Sequence, residues 1–334
     1  MTQTLTMPVI LSKVSQLGFS KKYIREIGLP SWWDDELNEN PASVLEGAGH
    51  IAQRLHLDLK SLLLENETPK FKDIPPTKFK YHLQGIKDIP EKAHQLASRL
   101  AAVVARATPT EYRPIPDNAP EIRAEILAQY PRVTLESLLA YCWEHGIAVA
   151  YFNNYPDNSR KITGMIQWQD SKPVIILSGK STIPARLAFN LGHELGHLAL
   201  GHIQSGEGIL VDDTIDPDSN DQEEMASTKI AVRLLVNKFD NYFGTCEFRN
   251  TKQFHKAIDK LLQQDSTIDP CAMGFNYSWH NHNDNHWGLS IKLAQSLGCG
   301  KGGDQIINNA LCQQIDWSEL TDDQADYLEK ILGA

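Results

Sequence analysis

A chain of 334 residues is long enough to bury a full core and to hold more than one structural unit. Its 41% hydrophobic and 22% charged residues are those of an ordinary globular protein, and no apolar run reaches bilayer length, which argues against a membrane protein and predicts a soluble chain. A formal net charge of -10 disfavours nonspecific attraction to nucleic acid or anionic lipid.

Residues 1–68 read as a helical module: in ASVLEGAGHIAQRLHLDLKSLLLE the positions Val44, Ile51, Leu55 and Leu62 recur at helical spacing and share a buried side. Residues 69–120 read as a linker and connecting helix, because proline- and lysine-rich stretches flank the alanine- and leucine-rich run EKAHQLASRLAAVVARA. From 121 to 245 the pattern changes to that of an α+β unit. Two helices (EIRAEILAQY, TLESLLAYCWEHG) precede three strands at 146–152, 162–168 and 173–178, whose short polar turns predict an antiparallel meander. The helix PARLAFNLGHELGHLAL, an acidic loop and the helix QEEMASTKIAVRLLVNKF follow. Residues 246–334 read as a mostly helical C-terminal region, with helices in TKQFHKAIDKLLQQ, SIKLAQSLG and TDDQADYLEKILG.

Five cysteines without a CxxC pair read as reduced thiols, and the N-terminal segment lacks the basic lead-in and cleavage site of a secretory signal. Both features predict a cytoplasmic protein.

The chemistry is concentrated in His193-Glu194-Leu195-Gly196-His197, an HExxH pattern on a helix. Positions i and i+4 lie one above the other, so both imidazoles reach one metal ion while Glu194 stands beside the bound water as general base. Two ordinary histidines on a surface helix would give the same five residues. Gly192 and Gly196 favour the metal, since a helix keeps such poor formers where another element must approach closely.

A third ligand is expected on the next helix. Glu224 has the small companions Ser227, Thr228 and Ala231 on its side, which suits packing against Gly196, but Glu223 with Ala226, Ser227, Ile230 and Leu234 makes an equally tenable face. His202 reads either as support for an oxyanion or as a group behind the metal ligands, and Asp212 or Asp213 as an orienter of a ligand histidine. The spacing of His280, His282 and His286 suits a polar loop better than a second metal site.

The runs Gly164–Trp168, Lys172–Ser178 and Ala188–His202, followed by Glu224-Met225-Ala226-Ser227-Thr228-Lys229-Ile230-Ala231, resemble the ImmA/IrrE metallopeptidase family over about residues 130–240. Ser227-Thr228 replaces that family's usual Ala-Asn, Ile230 its Phe and Asn237 its Pro. The resemblance implies a zincin-like core, Glu224 as the ligand alongside His193 and His197, and zinc as cofactor, with manganese or another divalent ion open. It implies an endopeptidase; Glu194, from the motif, and His202, from its place at the end of the active helix, are the catalytic candidates. The substrate would be a specific protein, an XRE-type repressor encoded nearby, in a stress, prophage or defence circuit.

The N-terminal module is similar to the end of an XRE-type helix-turn-helix domain at Ile51–Leu59. Asp34, Asp35 and Glu36 would repel phosphate, so an interaction or sensing module is expected in preference to DNA binding. The alternative is a DNA-binding regulator or antitoxin-like module in which the zinc fold serves partner docking.

Overall fold

The computed structural model describes residues 5–80, 91–157, 159, 162–206, 208–212, 214–281 and 286–333. Short runs of β-branched and aromatic residues form a mixed five-stranded sheet: β1 (Thr77–Lys80), β2 (Ala148–Tyr151), β3 (Gly164–Gln169), β4 (Lys172–Leu177) and β5 (Ile209–Asp212). Their spatial order is β1-β5-β3-β4-β2.

The antiparallel meander expected from the sequence is corrected. Asp170, at φ 54°, makes the tight turn that pairs Gln169 with Lys172, so β3 and β4 form an antiparallel hairpin. The longer 152–163 segment instead returns the chain to the far side of β4, and β2 runs parallel to it. Two further strands come from stretches read as linker and acidic loop. β5 pairs antiparallel with β3, and β1 pairs parallel with β5. Both are only four residues long, too short for alternation to mark them.

Fourteen α-helices are formed by the described residues. Near the N-terminus are α1 (Met7–Ser15), α2 (Lys21–Tyr23), α3 (Pro41–Arg54) and α4 (Leu59–Leu63). Asn40 caps α3 through the amides of Ala42 and Ser43, and Asp58 caps α4. Val44, Ile51, Leu55 and Leu62 are all fully buried, as their spacing requires.

α5 (Glu91–Ala107), read as a connecting helix, packs on β3 and β4. α6 (Ala119–Gln129) and α7 (Leu135–Glu144) lead into β2. α8 (Pro184–Ala199) carries the HELGH run and lies against β3, β4 and α9 (Gln222–Val236). The C-terminal region holds α10 (Thr251–Leu262), α11 (Pro270–His280), α12 (Trp287–Ser296), α13 (Gly303–Gln314) and α14 (Asp322–Leu332).

The first and last helical segments meet through a buried cation. Arg54 on α3 is fully buried, pairs with Asp323 at 2.6 Å and Asp326 at 2.7 Å on α14, and donates to the Leu29 carbonyl. A guanidinium is tolerated there because two carboxylates and a carbonyl replace its water.

Cys271, at the start of α11, and Cys299, just beyond α12, lie side by side because the two helices pack together, while Cys142, Cys246 and Cys312 stand apart from them. No helix among the described residues is long and apolar enough to cross a membrane.

Candidate metal centre

α8 starts with Pro184 in its first turn and buries Leu187, Ala188, Leu191, Leu195 and Leu198. Its glycines face α9. A Cβ on Gly196 would stand 2.8 Å from the Ser227 Cα and carbonyl oxygen, and one on Gly192 would stand 3.2 Å from the Ala231 Cα. The two backbones are therefore in contact through Gly192, Gly196, Ser227 and Ala231, as the small-residue face of α9 predicts. That approach brings Glu224, one turn before Ser227, over the two histidines. Asp221 fixes the start of α9 by accepting from the amides of Glu223 and Glu224.

The donor atoms converge. Nε2 of His193 lies 3.1 Å from Nε2 of His197. Glu224 spans both, with Oε2 3.3 Å from His193 Nε2 and Oε1 3.2 Å from His197 Nε2. Asp212, at the end of β5, sets Oδ2 3.4 Å from His193 Nε2 and 3.7 Å from His197 Nε2. A tetrahedral ion with ligands at about 2.0–2.2 Å has ligand-to-ligand edges of roughly 3.3–3.6 Å. These separations scatter around that value, so the buried group His193, His197, Asp212 and Glu224 could hold a metal ion.

Unmet polar demand points the same way. His193, Glu194, His197 and Asp212 are fully buried. Among the described residues, neither oxygen of Glu194 and neither oxygen of Asp212 has a hydrogen bond of ordinary geometry. Buried carboxylates so placed are costly unless a cation or a proton joins them. Burial opposes a charge on His193, but Asp212 and Glu224 outweigh it and raise its pKa to about 9. Burial first, then the nearness of Asp212 and Glu224, raises Glu194 well above the carboxylate range. Burial pushes Glu224 up, yet His193 and His197 bring it below its usual value.

The outer nitrogens of both imidazoles are engaged. With Nε2 turned inward, His193 Nδ1 donates to Thr228 Oγ1 at 3.2 Å and His197 Nδ1 donates to His202 Nδ1 at 2.9 Å. Burial, and next His197, lower the His202 pKa to about 4, so its ring is neutral and can accept. His202 stands behind His197, and its other Nδ1 contact is Ser227 Oγ at 3.3 Å.

The choice between the two glutamates is settled by β1. Glu223 turns away to Lys78 at 2.6 Å and Lys80 at 2.7 Å; burial raises its pKa, but the two lysines prevail and hold it down to about 2. Gly164 has a reason the sequence alone did not show: a Cβ there would enter the Glu194 carboxylate.

Asp212 lies within the group of donors that could hold an ion, and its only sequence signal is an acid closing an apolar run; Asp213 lies outside the described residues. His280 donates to the Phe239 carbonyl at 2.7 Å, His286 stands at the start of α12, and His282 lies outside the described residues. Among the described residues no second group of metal donors forms. The chain matches no family model, no curated protein and no solved structure.

Proposed function

We propose that the chain is a zinc-dependent endopeptidase of the ImmA/IrrE type, with a zincin-like core, acting on a specific protein. One observation carries this reading: the convergence of His193, His197 and Glu224 at tetrahedral spacing, with the carboxylate of Glu194 buried beside them. His193, His197 and Glu224 would hold the ion, and a bound divalent cation supplies Lewis acidity to a carbonyl and to water. With the cation bound, the Glu194 carboxylate would take a proton from water and pass it to the leaving amine. Thr228 and His202 keep the two imidazoles in the tautomer that leaves Nε2 free. The substrate class, an XRE-type repressor encoded nearby, rests on the resemblance alone.

The test is incubation of the zinc-loaded protein with that neighbouring gene product, followed by mass spectrometry. A discrete fragment pair, absent with chelator and absent with Glu194→Gln at full metal content, is expected. An intact partner under all conditions removes the reading.

Asp212 favours a second reading. Four protein ligands close a tetrahedron, and closed sites are structural. The centre would then stiffen a docking module, with DNA or partner binding left to the N-terminal helices. Under the peptidase reading Asp212 sits at the position that must open for substrate, so its removal separates the two.

A further inference from the structure

We propose that the cavity beside the metal centre receives one large apolar or aromatic side chain of the polypeptide cleaved there. This rests on the peptidase reading and adds the side-chain class that the substrate presents. The cavity measures about 170 Å³. A buried space of roughly 150 Å³ lined by apolar groups takes a benzene ring, so the volume matches one aromatic or branched aliphatic side chain.

Its place follows from two helices that also carry the metal donors. Phe189 on the cavity wall lies one turn before His193 on α8, with ring centroids 6.5 Å apart. Val232, also on the wall, lies one turn after Thr228 on α9, the residue bonded to His193. Thr163 lines the same space and precedes Gly164, the residue against Glu194. One helical turn is about 5.4 Å, close to the reach from a scissile bond to the side chain beside it.

The lining sets the preference. Phe189 meets Trp279 at a tilt of 50° with centroids 5.1 Å apart, and the Arg186 guanidinium lies 5.6 Å from the centre of the Trp287 ring. Aromatic faces reward a large apolar guest, and the Arg186 charge repels lysine or arginine. Asn276, 6% exposed, is on the wall; its Oδ1 accepts from the Tyr242 amide while its Nδ2 finds no acceptor among the described residues. That amide, with Arg186, Asn190, Thr163 and Thr214, sets a few polar groups among apolar walls, the composition of a ligand pocket and not of a packed core.

The test uses full-length, metal-free protein and two probes, N-acetyl-L-phenylalaninamide and N-acetyl-L-alaninamide, followed by saturation-transfer NMR titration. The phenylalanine probe should bind at least tenfold more tightly, from the apolar area it buries. Val232→Trp, which fills the cavity, should abolish that difference. Trp287→Ala, at the partly exposed rim, should reduce it severalfold in a protein whose melting temperature shows it folded. Equal binding of the two probes, or a difference unchanged in both variants, overturns the proposal. Because no metal is present, that failure leaves the peptidase reading standing, and failure of the cleavage assay leaves the cavity's preference standing.

Discussion

Nδ1 of His202 meets Nδ1 of His197 at 2.9 Å on the side of the ring opposite the donor group. The contact holds the His197 plane and tautomer, and the outer partners of ligand histidines typically change metal affinity by about 10–100-fold. His202→Ala should therefore weaken zinc affinity by that amount in a chelator competition, with the fold intact by circular dichroism. An unchanged affinity would show that the contact is incidental.

Asp212 is the donor whose role divides the two functional readings. If it occupies a position that opens for substrate, Asp212→Asn keeps one equivalent of zinc bound by His193, His197 and Glu224, with at most a modest loss of affinity. If it completes a structural site, the same variant loses metal and thermal stability together. Elemental analysis after gel filtration, paired with a melting curve, distinguishes these results.

Close contact between α8 and α9 is what carries Glu224 to the histidines. Gly196→Val should force the helices apart at Ser227, destabilise the fold by about 1–3 kcal/mol and lower the bound metal. Gly192→Ala, with 3.2 Å to the Ala231 Cα, should be the milder change. Equal stability of Gly196→Val and wild type in denaturant titration would contradict the packing described.

A pH effect is expected away from the metal. His94 on α5 is 2% exposed, and its ring meets Phe79 of β1 edge-on at 5.2 Å. Burial, and next His56, lower its pKa from 6.5 to about 4. The unfolded chain therefore takes up this proton first as pH falls. Stability present above pH 6.5 declines between 6.5 and 4, by up to roughly 3 kcal/mol. His94→Leu should flatten that part of the melting temperature against pH curve relative to wild type. Parallel curves for the two proteins would remove His94 as the cause.

Much of this architecture is legible in the chain because long helices advertise themselves. The first-turn proline of α8, the Asp221 cap of α9 and the apolar spacing of both mark these helices, and the small residues at 192, 196, 227 and 231 foretell how they touch. What escapes is short or non-local. β5 is four residues before an acidic stretch, so nothing local says that Asp212 will end beside His193. α11 hides because its run PCAMGFNYSWH mixes glycine and aromatic residues and is buried almost all round, leaving no polar face to set a period. Glu223 and Glu224 cannot be told apart by periodicity; only the lysines of β1, in a strand the sequence did not reveal, draw Glu223 away.

The central claim is that two imidazoles and the Glu224 carboxylate hold one ion. Zinc stoichiometry by elemental analysis of purified wild type, Glu223→Gln and Glu224→Gln tests it most directly. One equivalent in wild type and Glu223→Gln, with most of it gone from Glu224→Gln, is the expected result. Full zinc in Glu224→Gln, or no zinc taken up by the wild type, would contradict it.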